Sequence, residues 1–394
     1  MKSSRRWVAL VLAVVFVIAL VGCAQPAPEP TEAPAEEPAA ESEEEYSVEN
    51  PKGKKPSKWQ PGQTDCGNMA KEPPWTIGVS NYSLGNSWRV QMFEELKAAA
   101  ERDDRIEELI ITNADGDISK QISDIEDLMA RGVDAMLILP LSPEGIAPSV
   151  EDVYNAGIVT VIYNDVVETD QFHSIMWVAE YKFGYIGGAW LNEQLGGEGS
   201  IVVLEGIAGS GTSDLRTEGA LDALDDDIEV LAQQPADWAY DKAKAAMEDF
   251  ISAYPGEIDG VYSQGGAMSQ ASIDAFLAAG QEPVPVPAEG YNGFLKYWYA
   301  NLENGFTSMA PDEPTWQSVA ALEQATRCLE GETIDKWFEL ELPVITNETV
   351  EQYARCDCPD GVWSNTKMEP EAITELYDCE GIERDTLENC KEEN

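Results

Sequence analysis

From Thr76 to Ala279, short apolar runs alternate with segments of helical period, and this alternation restricts the possible folds more than any other feature of the chain. TIGVSNY (76–82), ELIITNAD (108–115), DAMLILP (134–140) and IVTVIYND (158–165) read as strands. Between them WRVQMFEELKAAAERD reads as a helix with Val90, Phe93, Leu96 and Ala100 on one face. ISDIEDLMARG and IAPSVEDVYNAG read as helices closed by Gly132 and Gly157. After a longer helix, YKFGYIGGAWLNEQLGG, the pattern starts again. SIVVLEG, DIEVLAQQ, GVYSQ and PVPAEGY are the second set of strands, with helices beginning near Asp214, Tyr240 and Ser269. Regular alternation argues for parallel sheets wrapped by helices. Two successive sets imply two α/β lobes, and in such sheets ligands collect at the carboxyl ends of strands.

The chain begins with a basic stretch, Lys2, Arg5 and Arg6, and an apolar run from Trp7 to Val21, the make-up of an export signal occupying residues 1–22. Leu20-Val21-Gly22-Cys23 resembles the bacterial lipobox, which implies lipidation of Cys23; a signal anchor with an incidental cysteine is the alternative. Ala24 to Glu45 holds eight glutamates, repeated prolines and no basic residue, so residues 23–74 are expected to form a lipid-anchored, disordered tether. The whole chain carries 25 Lys+Arg against 73 Asp+Glu, a formal charge of -48, which argues against nucleic acid as a partner.

Six cysteines remain after Cys23: Cys66, Cys328, Cys356, Cys358, Cys379 and Cys390. In an exported chain they are disulfide candidates with open connectivity, and a four-cysteine zinc site from the last four is the alternative. The single histidine, His173, sits in the loop-like DQFHS and reads as a surface residue. No nucleophile elbow and no H-E-x-x-H helix occurs, so no enzyme and no cofactor are expected, nor any metal beyond the zinc alternative.

Aromatic residues recur at strand ends and loops: Trp88, Tyr163, Trp238, Tyr291, Trp298 and Trp316. Flat rings beside short polar side chains suit the C–H faces and hydroxyls of a sugar. GIAGSGTSDLRTEGALDAL followed by VLAQQPADWAYDKA resembles the ribose-type family of periplasmic sugar-binding proteins, which shows G-x-x-G, then R-x-x-G-F, then Q-x-A-[DN]-[WF]. The resemblance runs from about Thr76 to Thr346. It implies a type I periplasmic-binding-protein fold: two doubly wound parallel-sheet lobes joined by a three-strand hinge, with crossings near Val178, Ala310 and Leu342. Lobe 1 is then 75–178 with 311–341, lobe 2 is 179–310 with 342–352, and 353–394 is a cysteine-bearing extension, a cap or strap on one lobe.

The same resemblance implies the ligand-binding positions. Asn86 and Trp88 lie in the first-strand loop, with Arg89 where the family often has a second aromatic. Asn164 and Asp165 follow the fourth strand, Arg216 matches the family arginine, and Trp238 matches the stacking aromatic. Tyr291 and Asn292 replace an aromatic-Asp pair. The family's Asn-Asp pair is here within Ser263-Gln264-Gly265-Gly266, leaving Gln264 or Ser263 as substitutes. The implied function is non-enzymatic. A monomer captures a monosaccharide or similar polyhydroxy ligand by hinge closure and delivers it to an ABC permease, anchored on the outer face of the cell membrane. The alternatives are a sensor for a sugar-like signal or nucleoside and a glycoside-acting enzyme.

Overall fold

The computed structural model describes residues 62–379 and Cys390. The expected export signal, Cys23 and most of the acidic tether lie outside the described residues. The tether's expected end at Pro74 is corrected, because residues 62–74 belong to the fold. Strand β1 (Gln63–Asp65) lies there, and Cys66 is disulfide-bonded to Cys328.

The first lobe runs β2 (Trp75–Asn81), α1 (Ser87–Glu101), β3 (Ile106–Asn113), α2 (Ile118–Arg131), β4 (Ala135–Ile138), α3 (Ala147–Asn155), β5 (Val159–Tyr163) and β6 (Ser174–Trp177). The second runs α4 (Glu180–Leu195), β7 (Gly199–Glu205), α5 (Gly211–Asp222), β8 (Ile228–Pro235), α6 (Tyr240–Ala253), β9 (Gly260–Ser263), α7 (Gly266–Ala278) and α8 (Asn292–Asn301). The chain then passes β10 (Ala310–Pro311), α9 (Gln317–Leu329), β11 (Thr333–Asp335), β12 (Trp337–Glu339), β13 (Val344–Ile345), α10 (Val350–Tyr353) and α11 (Pro370–Tyr377).

One six-stranded parallel sheet has the order β12-β6-β5-β4-β2-β3, and a three-stranded parallel sheet has the order β8-β7-β9. Both faces of each sheet are covered, which is why their strands are apolar runs. In β4, Leu137 joins the core shared with α1 and α9, while its neighbours Met136 and Ile138 point to the opposite core with α2 and α3. Gly132 and Gly157 do close α2 and α3, at φ 77° and 74°.

Three segments cross between the sheets side by side. Leu340 N–H donates to Trp177 O at 2.8 Å, Asp312 N–H donates to Pro343 O at 2.9 Å, and β10 pairs antiparallel with β13. These are the hinge strands of a type I binding-protein fold.

Four local expectations need correction. PVPAEGY forms no strand, because Pro285 and Pro287 lack the N–H that a ladder needs; the segment is held instead by Val261 N–H to Pro285 O and Ala288 N–H to Met309 O. Val90 is exposed, and α1 instead buries Gln91 and Glu95 beside its apolar residues. His173 is buried against Tyr154, and its Nδ1 accepts from Thr160 N–H at 3.0 Å. The zinc alternative gives way to disulfides Cys356–Cys390 and Cys358–Cys379.

Two predictions follow from this packing. Cys66 and Cys328 close a loop of 262 residues, so replacing both with serine should cost about 2–4 kcal/mol in urea unfolding, and an unchanged midpoint would refute that contribution. Burial, with the charge of Lys336, pushes the His173 pKa down to about 4. The unfolded imidazole therefore takes up a proton before the native one does. Its stabilisation is complete above about pH 6.5 and is lost as the pH falls toward 4, by up to about 3 kcal/mol. His173→Gln should lack this component when unfolding free energies at pH 7 and pH 5 are compared. Equal losses in both proteins would contradict it.

Candidate ligand cavity between the lobes

Helices α4 and α5 touch through glycine. A Cβ on Gly184 would lie 2.0 Å from Arg216 O, and one on Gly219 would lie 2.0 Å from Tyr181 O. Only hydrogen at these positions permits so close an approach, and it brings Arg216 on α5 against Glu180 at the start of α4. Arg216 is 2% exposed. Its Nε donates to Glu180 Oε2 at 2.7 Å, its Nη1 to Gln264 O at 2.8 Å and its Nη2 to Glu313 Oε2. Glu289 Oε1 lies 3.6 Å from Nη1. Burial alone would favour losing the guanidinium proton, but Glu180, Glu313 and Glu289 hold the Arg216 pKa above its ordinary value. Burial raises the pKa of both Glu180 and Glu289, with Arg216 opposing and Glu313 adding to the rise.

Glu313, just after β10, also reaches the other lobe, where Asn164 Nδ2 donates to Glu313 Oε1 at 2.9 Å. Beside it Ser210 Oγ donates to Asp165 Oδ2 at 2.8 Å and Thr212 N–H donates to Asp165 Oδ1 at 3.1 Å. Burial lifts the Asp165 pKa to about 7, against the pull of these donors. The lobes are therefore closed on one another.

Around this junction lies a small cavity lined from both lobes. Asn86, Trp88, Arg89 and Asn164 line it from the first lobe, and Thr212, Arg216, Trp238, Gly265 and Glu289 line it from the second. Glu313 from the crossing segment and Trp363 from the C-terminal extension complete it. Asn86 also caps α1, accepting from Arg89 N–H at 2.9 Å. Arg89 Cζ sits 4.1 Å from the centre of the Tyr82 ring, and its Nη2 donates to the Tyr82 hydroxyl. Asn164 and Trp238 take left-handed backbone, φ 66° and 53°, the kind of strain that collects at functional sites.

Five buried polar atoms on these residues have no hydrogen-bond partner within the described protein. Arg89 Nε and Nη1 and Trp238 Nε1 are donors; Asn164 Oδ1 and Glu289 Oε1 are acceptors. Buried groups of this kind are normally paired, so their concentration at one cavity calls for a polar guest.

The cavity gathers six of the ten positions expected from the sequence: Asn86, Trp88, Arg89, Asn164, Arg216 and Trp238. The other four do not line it. Asp165 is spent on the interlobe contacts above. Gln264 braces the second lobe, accepting from Gly206 N–H at 2.9 Å and donating to Ser213 O at 2.9 Å, and Ser263 Oγ turns to Gly265 O. Tyr291 packs on Trp363 at 5.4 Å between ring centres, and Asn292 Nδ2 donates to Arg355 O at 2.8 Å. Tyr291 and Asn292 lie off the cavity, and Glu289, at the end of the irregular proline-bearing segment before them, lines it instead. The missing Asn at Gly265 has a steric counterpart, since a Cβ there would lie 3.0 Å from Trp238 Cδ1. The wide indole occupies the space. Glu289, Glu313 and Trp363 line the cavity beyond the positions expected from the sequence, and no local motif marks them.

Comparison with known proteins places these features. The profile of the periplasmic binding protein domain family matches residues 77–333. The ribose import binding protein of Bacillus subtilis is 26% identical over 302 residues, covering 77% of this chain and 94% of that protein. A xylitol-binding protein of Mycolicibacterium smegmatis is 28% identical over 296 residues, 74% of this chain and 83% of its own length. An ABC transporter solute-binding protein from Bacillus halodurans, solved with myo-inositol bound, superposes with a TM-score of 0.65 at 23% identity, covering 72% of this chain and 98% of that one. The matched profile, the two closed α/β lobes and their cavity agree, and the chain belongs to the periplasmic binding protein family, among relatives of the ribose type.

Proposed function

We propose that this protein captures a small, uncharged polyhydroxy ligand, a monosaccharide or a polyol, in the interlobe cavity and presents it in the closed form to an ABC import permease. The carrying observation is the set of five buried polar atoms without a hydrogen-bond partner, donors and acceptors together, on residues of a cavity that also bears Trp88, Trp238 and Trp363. A hydroxyl both donates and accepts, so a polyol can satisfy the Arg89 nitrogens and the Asn164 and Glu289 oxygens at once. Ring C–H faces pack on indoles. The relatives named for ribose and xylitol point to the same ligand class.

Closure needs no chemical conversion of the ligand. Contacts from both lobes stabilise the closed state by their differential affinity for it. Residues 1–22 as export signal, lipidated Cys23 and an acidic tether would keep the protein on the outer face of the membrane beside its permease. The open alternative is a sensor, in which the closed form engages a receptor instead.

Melting curves of the purified protein with D-ribose, xylitol, myo-inositol and L-arabinose test the reading. A ligand at a hundred times its Kd should add about 2.7 kcal/mol of stability, and no response to any neutral polyol would overturn it. For the ligand that responds, Trp238→Ala should raise Kd at least tenfold, about 1.4 kcal/mol, while the ligand-free protein stays folded. Unchanged affinity in calorimetry would remove Trp238 from the site.

A further inference from the structure

The C-terminal extension lies beyond the family match and does more than cap one lobe. It touches both, and consecutive residues of it are bound to opposite sides of the cleft. Val362 O accepts from Asn292 N–H of the second lobe at 2.8 Å. The next residue pairs with α1 of the first: Trp363 N–H donates to Gln91 Oε1 at 2.9 Å, and Gln91 Nε2 donates to Trp363 O at 3.0 Å. These groups are buried, so the pairing replaces water that is no longer there. Farther along, Thr366 Oγ1 donates to Glu95 Oε1 on α1 at 2.5 Å. On the second lobe, Arg355 N–H donates to Asn292 Oδ1 at 2.8 Å and Gly293 N–H to Asp360 O at 3.1 Å. Disulfides Cys356–Cys390 and Cys358–Cys379 pin the segment to itself.

The same segment reaches the cavity. Trp363 is 3% exposed and lines it. Its indole Nε1 donates to Ser87 Oγ at 2.9 Å, which fixes the ring plane and uses its one polar atom, leaving apolar surface as its contribution to the cavity. Tyr291 backs the ring edge-on.

We propose that residues 355–367 form a working strap of the binding site, in which Trp363 is a specificity-determining wall and the bonds to Gln91 tie the lobes in the closed state. The Trp363 half rests on the ligand reading above; the tie does not. Ligand choice is then set partly outside the two-lobed fold, and a polyol too large for the space before Trp363 is refused.

Two measurements on the purified protein test this. Hydrogen exchange of the Thr212 amide, which donates across the cleft to Asp165, reports closure without any ligand. Gln91→Leu should speed exchange at Thr212 at least tenfold while amides inside β4 and β7 keep their protection. Equal Thr212 exchange in both proteins overturns the tie, whatever the ligand proves to be. Calorimetry with D-ribose, xylitol, myo-inositol and L-arabinose tests the wall. Trp363→Ala should weaken the preferred ligand about tenfold or more and narrow the gap to the others, whereas Trp363→Phe should keep the wild-type order. An unchanged order and affinity in Trp363→Ala, with the wild type binding, overturns the wall. If the wild type binds none of the four, the ligand reading fails together with the wall, and Thr212 exchange still decides the tie.

Discussion

A guanidinium that is 2% exposed must be surrounded by acceptors and counter-charges, and at Arg216 the carboxylates come from three parts of the chain: Glu180 at the first crossing, Glu289 after the second sheet, and Glu313 after the second crossing. Removing one partner of a buried pair typically costs about 3–5 kcal/mol, because the other charge is left without compensation. Three carboxylates beside one arginine also leave surplus acceptor capacity. Burial raises Glu180 and Glu289, and Glu289 keeps an oxygen without a hydrogen-bond partner. The cluster thus braces the hinge and offers acceptors to the cavity through the same side chains.

The rest of the site is arranged around this point. Glycine contacts between α4 and α5 place Arg216, and Gly206 and Gly265 clear the space that the Trp238 ring fills; a Cβ on Gly206 would lie 2.1 Å from it. Glu313 joins Arg216 of one lobe to Asn164 of the other, so its full set of bonds exists only when the lobes are together. Trp88 Nε1 donates to the Glu313 carbonyl at 3.3 Å, which ties the first-lobe aromatic to the same residue.

The fold was largely legible because its strands are buried on both faces and read as short apolar runs, and because glycines end α2 and α3. The four-residue strand β6 gave no such signal because it is so short, and neither did β1 and β10 to β13, whose pairing partners are not adjacent in sequence. Trp88, Arg216 and Trp238 were readable from local motifs that carry each residue on its own strand end or helix. Glu313 and Trp363 were not, because a hinge crossing and a disulfide-pinned extension deliver them. Asn292 illustrates the limit: the motif located the right loop, but the residue there that lines the cavity is Glu289, at the end of the irregular segment holding Pro285 and Pro287.

The most direct test of the account is a crystal structure of the protein with the neutral polyol that raises its melting temperature most. The account predicts that ligand in the interlobe cavity, hydrogen-bonded to Arg89 and Asn164 from one side and Glu289 from the other, with an indole face against its carbon skeleton. A ligand held by one lobe alone, or bound outside this cavity, would contradict it.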